Sequence, residues 1–241
     1  MLRIEAPGGR PGASMMRCAE RIGADQVPNQ LDAASLATEH RRVAVFIDAR
    51  NVYYSARLAF HGGTGPSSHG QVDPIKLGEL LVERGQGPAR RPKELVDVRV
   101  YVGKPSESRD PISAGAYARQ VDSWRRAGVH VIEGTLAYPD DFPAHPPKEK
   151  GVDVALAVDL VAGSLRDEFD VAVIASTDND LLPALQALVE RRDAWGRPGV
   201  EVFAWSPLGK RLWLKKRSLW CHFLDRSDYD RVRDARDYVA R

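Results

Sequence analysis

The chain has little that would tie it to an oxidising compartment, a membrane or a polyanion. Its two cysteines, Cys18 and Cys221, lie far apart and belong to no CxxC pair, so neither a disulfide framework nor a thiolate zinc site is expected. No apolar run approaches the ~20 residues of a membrane span. The opening stretch MLRIEAPGGRPGASMMRCAERIG is broken by Pro, Gly and charge where a signal peptide needs continuous apolar sequence. A cytoplasmic chain is the expectation. A formal net charge of +2 is too small to argue for nucleic acid, so any electrostatic case must rest on local clusters. Nucleotide-binding loops are also missing. SPLGKR has Ala204 where a phosphate loop needs its first glycine and Arg211 where it needs Ser or Thr, and the first strand runs into DARN without a glycine-rich turn. Arg50 stands where a haloacid-type phosphatase needs its second aspartate, and no serine sits on a nucleophile elbow.

What is present is enough for one sizeable core: 241 residues, 43% hydrophobic and 28% charged. Residues 1–40 mix Gly, Pro, Ser, Ala and charge without a sustained period and read as a poorly ordered extension. From residue 41 to 226 apolar runs alternate with amphipathic segments, the pattern of an α/β domain with a mainly parallel sheet and helices on both faces. Expected strands are 43–48, 95–103, 129–137, 170–176, 200–205 and 219–225. Asp73-Pro74 and Asp110-Pro111 each signal a helix start, and a C-terminal helix is expected over 227–241. Two Gly/Pro-rich stretches, HGGTGPSSHG and YPDDFPAHPPKEKG, read as long loops beside the strand ends.

In a parallel sheet, strand carboxyl ends and the following helix starts share one edge. Asp48 ends the first strand, Asp178 and Asp180 follow the strand DVAVIAS, and Asp153 lies in the first turn of a helix. Four carboxylates converging on one crevice repel one another and call for a cation. All-oxygen ligands favour Mg²⁺ or Mn²⁺, which neutralises phosphate and acidifies water, suiting phosphodiester hydrolysis. For any one of these residues alone, an aspartate at a helix start is better explained as an N-cap; it is the set of them along one sheet edge that points to a metal. Asp159 lies six residues beyond Asp153, about 240° further around a helix, and cannot face the same ion.

FIDARN, KGVDVALAVDL and VIASTDNDLLPAL resemble the three signature segments of the NYN domain, a branch of the PIN-like metal-dependent ribonucleases. The resemblance spans roughly residues 42–226 and implies a Rossmann-like (PIN-like) sheet with the first strand central, an acidic Mg²⁺ or Mn²⁺ site, and RNA cleavage. It implies that Asp48, Asp153 and Asp178 bind metal, that Asp180 is a further acid, and that Asn51 positions a ligand or water. Ala49 and Thr177 stand where the family usually has glycine, and Leu181 where it has Phe. No carboxylate is lost, and Thr177 adds a hydroxyl that could reach bound water. Tyr53 and Tyr54 are expected to line the substrate groove and Lys150, in a loop, to hold a scissile phosphate. Lys215, Lys216 and Arg217, interleaved with Trp213 and Trp220 and expected on a helix, could track the backbone of single-stranded RNA. The alternative use of these cations is as a solvated face, with Trp213 and Leu214 in the core. The alternative function is a catalytically degenerate RNA-binding or protein-assembly module with the same fold. A homo-oligomer is compatible with either.

Overall fold

In a computed structural model of the protein, residues 40–85, 91–192 and 196–239 are described. The expected extension over 1–40 therefore lies outside the described residues, His40 excepted.

The apolar run after Arg41 forms β1 (Arg41–Asp48), buried from Val43 onward because it is flanked by strands on both sides. It pairs in parallel with β2 (Lys93–Lys104) and β5 (Val171–Ala175). With β3 (His130–Ala137), β4 (Lys148–Lys150), β6 (Gly199–Trp205) and β7 (Trp220–Leu224), the order is β4-β3-β2-β1-β5-β6-β7. Every pairing is parallel except β3 with β4. The expected α/β fold is present, with β1 at the centre of the sheet.

Strand alternation divides the core in two. Val43, Val45 and Ile47 of β1 face one way, against α1 (Ala49–His61), α2 (Pro74–Arg84), α3 (Pro111–Arg126) and α6 (Arg226–Val232). Ala44 and Phe46 face the other way, against α4 (Val152–Leu165) and α5 (Leu182–Glu190). Local chemistry sets the helix starts. Asp73 and Asp110 cap α2 and α3 with a proline in the first turn, as expected. At the start of α4, Gly151 has a φ of 76°, a left-handed conformation that glycine adopts without steric cost. Among the described residues no helix is long and apolar enough to cross a membrane.

Three expectations need correction. Lys150 is not in a loop: Lys148–Lys150 forms the short edge strand β4, which pairs antiparallel with Leu136 and its neighbours on β3. Three residues are too few to carry a period, so only the tertiary pairing reveals it. The basic stretch is not helical either. After a single 3₁₀ turn at Ser206–Leu208, Gly209 takes a φ of 62°, and the chain becomes a loop closed by an isolated Leu214–Arg217 bridge. Leu212, Leu214 and Leu219 pin this loop to the core, while Trp213 is 57% exposed, so Leu214 takes its expected core place and Trp213 does not. Finally, the C-terminal helix ends at Val232 rather than continuing to 241. The backbone beyond it bonds to the segment before α2, with the Asp73 N–H donating to Val232 O and the Asp234 N–H to Gln71 O. Those bonds satisfy the chain in an extended form, and Tyr238 is buried at its end.

Candidate active site

The carboxyl ends of β1 and β5, the start of α4 and the edge strand β4 meet at one crevice of about 420 Å³, whose walls include Asp48, Asn51, Glu149, Asp153, Thr177 and Asp178. Asp48 is 4% exposed. Its Oδ1 accepts the Asn51 N–H at 3.0 Å, capping α1, and its Oδ2 accepts the Ser176 hydroxyl at 3.1 Å. One side chain thus ends the central strand, starts the helix and faces the crevice. Burial pushes its pKa up to about 6, assisted by the charges of Glu149 and Asp153 and opposed by those two hydrogen bonds.

Asp153 is also pushed up, first by burial and then by the charges of Asp178 and Asp180. It has no hydrogen-bond or ion-pair partner among the described residues. Asp178 caps the 3₁₀ turn Asn179–Leu181 by accepting the Asp180 N–H at 3.0 Å. The cap reading therefore holds for Asp48 and Asp178, and each keeps a second carboxylate oxygen outside the cap bond. Asp180 is exposed and lines a neighbouring apolar groove between α4 and α5 with Asp153, rather than the crevice itself. Asp159 accepts the Tyr101 hydroxyl at 3.0 Å and, as its helical phase requires, stays out of the crevice.

Asn51 and Thr177 form one unit. Asn51 Oδ1 accepts both the Thr177 N–H (3.1 Å) and the Thr177 hydroxyl (3.2 Å), which leaves the Asn51 amide hydrogens free of protein acceptors among the described residues. Thr177 is 7% exposed and its proton is committed to Asn51. Its place is behind Asn51.

Sequence reasoning missed Glu149, Ser176 and Arg50. Glu149 accepts the Gly103 N–H at 2.8 Å, and its pKa is raised by burial and by Asp153. No periodicity marks it, because it sits in the middle of the three-residue β4. Arg50 donates to Pro147 O at 3.1 Å and lies 5.5 Å from the centre of the Tyr54 ring.

Of the expected substrate contacts, Tyr54 is in the crevice wall, whereas Tyr53 bonds to Ser67 O and lines the adjoining cavity. Lys150 is exposed and absent from the crevice wall, as strand alternation from Glu149 dictates. Lys215, Lys216 and Arg217 line a separate hollow formed by their own loop. Lys210, earlier in the same basic stretch, does border the crevice.

The donor set is chemically suited to a hard divalent cation: carboxylate oxygens, no thiolate, and no Lys or Arg within ion-pair distance of Asp48, Asp153 or Asp178 among the described residues. As placed, no three His, Cys, Asp or Glu side chains among the described residues are close enough together to hold an ion.

A family model described as NYN domain matches residues 42–196. No curated protein matches the chain. A solved structure of a Vibrio parahaemolyticus protein of unknown function is similar at 19% identity, covering 69% of this chain and 82% of that one with a TM-score of 0.44, a likeness too slight to carry an argument.

Proposed function

The chain belongs to the NYN domain family, whose members carry a ribonuclease-like domain, and from that premise we propose that it is a metal-dependent endoribonuclease acting on single-stranded RNA at the acidic crevice. One observation carries this reading. Asp48, Glu149, Asp153 and Asp178 surround a single crevice, no cation among the described residues is paired to Asp48, Asp153 or Asp178, and the first three have raised pKa values. An arrangement that destabilises its own charges is what a cation-binding site requires and a purely structural cluster avoids.

Asp48, Asp153 and Asp178 would hold Mg²⁺ or Mn²⁺ once drawn closer together than they stand here, with Asp180 adding negative potential from outside the wall. The ion would neutralise charge on the scissile phosphate and lower the pKa of water beside it. The chain's own groups do the rest. The free Asn51 amide hydrogens donate to a phosphate oxygen, oriented by the two bonds that Asn51 Oδ1 accepts from Thr177. Ser176 fixes the Asp48 carboxylate through Oδ2. Arg50 and Lys210, both in the crevice wall, attract the polyanion.

The test is cleavage of a panel of end-labelled single-stranded RNAs with Mg²⁺ or Mn²⁺ and with EDTA. EDTA should stop cleavage, and Asp48→Asn and Asp178→Asn should each reduce it at least ~100-fold while the proteins stay folded. Full activity in either variant, or cleavage indifferent to EDTA, overturns the metal reading. RNA binding without cleavage across the panel would instead favour the non-catalytic binding module.

A further inference from the structure

Beside the acidic crevice lies a second cavity of about 390 Å³, on the face of the sheet covered by α1, α2 and α3. Its volume falls in the range of small-molecule sites, about 300–1,000 Å³. Arg50, Tyr54 and Glu149 belong to the walls of both spaces, so the two adjoin at these residues. Deeper in, the walls are mostly apolar and rich in rings, Tyr53, Tyr117 and Trp124 among them. Two residues of its wall each carry a buried polar atom with no hydrogen-bond partner among the described residues: Gln71 Oε1, an acceptor, and Trp124 Nε1, a donor. Such unpartnered atoms are disfavoured in a purely structural core.

We infer that this cavity receives an unstacked nucleobase next to the scissile phosphate, so that it sets which nucleotide is cut beside. The inference rests on the nuclease reading for the identity of the occupant. The fit is chemical. A base is a flat, largely apolar ring whose edge carries both donors and acceptors, which matches aromatic walls in which Gln71 Oε1 and Trp124 Nε1, closed off from solvent as they stand, need only a side-chain shift to meet that edge. A nucleotide also carries an anion at a fixed short distance from its base. Arg50 stands at the junction, held by Pro147 O and lying near the Tyr54 ring, where a phosphate entering the crevice would pass. A purely apolar ligand would leave Gln71, Trp124 and Arg50 unused.

Two experiments separate this inference from the nuclease reading. The first needs no cleavage: calorimetric titration of the full chain in EDTA with each of the four nucleoside 5′-monophosphates and with ribose 5-phosphate. At least one monophosphate should bind, and ribose 5-phosphate should not. Ala116→Trp and Ser113→Trp, at separate positions on α3 in the cavity wall, should each weaken that binding at least 10-fold. Both variants are checked by thermal melting, and misfolding of one leaves the other as the test. No binding by any monophosphate, equal binding of ribose 5-phosphate, or binding indifferent to a folded filler overturns the inference.

The second experiment uses single-stranded RNA carrying one abasic nucleotide beside the cut. In the native protein the loss should be about 5- to 150-fold in kcat/KM, the value of one base–aromatic stack. In the filled variants the same abasic change should cost less than about 2-fold. An equal penalty in native and filled proteins overturns the inference while leaving the nuclease reading intact. Base-dependent binding of a monophosphate in a protein that cuts no RNA overturns the nuclease reading and leaves the cavity as a base-binding site without a role in cleavage.

Discussion

The protein buries carboxylates at two ends of its sheet and treats them in opposite ways. Toward the amino-terminal ends of the strands, Glu201 lies between Lys93 and His222, and all three side chains are less than a tenth exposed. Burial alone would raise the pKa of Glu201, but the His222 hydrogen bond and the Lys93 charge outweigh it and hold the group below its ordinary value. Asp170 behaves alike, with hydrogen bonds from Arg42 outweighing its burial. At the carboxyl edge Asp48 is buried as deeply, yet among the described residues it is given only a hydroxyl and one N–H, and its neighbours are other acids. Burial therefore does not distinguish these carboxylates from one another. The sign of their surroundings does.

Breaking the paired end should have the largest effect. Glu201→Ala takes from Lys93 and His222 the buried carboxylate that they share, and should cost about 3–5 kcal/mol in urea denaturation at neutral pH. A loss below about 1 kcal/mol would mean that water reaches the triad and that the contrast between the ends is weaker than the burial implies.

Relieving the unpaired end should act in the other direction. The folded-state pKa of Asp48 is about 6, above the ordinary carboxylate value, so the native state keeps its proton longer than the unfolded chain as pH rises. Its contribution to stability accordingly falls between about pH 4 and pH 6, by up to about 3 kcal/mol. Asp48→Asn, which keeps a good N-cap, should be more stable than the native protein in EDTA at pH 8 by up to that amount. The gain should vanish near pH 4. Glu201 has the opposite sign: its lowered pKa supplies stability above the ordinary glutamate range that is lost as pH falls. Melting curves from pH 4 to pH 8 on Asp48→Asn and native protein test this, and a pH-independent difference would refute the desolvation argument.

The smallest effect concerns the exposed cations. Lys210→Ala should flatten the salt dependence of RNA binding by about 0.7 log units, the slope of one lost contact to a single strand. Replacing Lys215, Lys216 and Arg217 together should leave that slope unchanged and stability within about 0.5 kcal/mol, since they face solvent around a separate hollow. A flattened slope in the triple variant would extend the RNA path across the loop.

Several features of the site can be read from local sequence because local physics writes them. A run such as VAVFI is buried wherever it is placed, Asp-Pro pairs start helices, and a parallel sheet puts the ends of its strands on one edge. That reasoning reaches Asp48, Asp153 and Asp178 without coordinates, and Asn51 follows from the resemblance of its segment. It fails at Lys150 and Glu149, because a three-residue edge strand exists only through its partner. It fails at the basic loop too, where Pro207 and Gly209 interrupt a helix that charge spacing alone would allow.

The sequence by itself thus determined the order of strands and helices, the helix caps and which acids can share an edge, since each depends on neighbours a few residues apart. Only the tertiary structure decided that Glu149 joins those acids, that Thr177 turns toward Asn51, and that Lys210 rather than Lys215 borders the crevice. It also decided that Asp48 is desolvated without a compensating charge among the described residues, whereas Glu201 is compensated. Desolvation and Coulomb energy depend on distance through space, and the groups that set them here come from segments separated by up to 128 residues of chain.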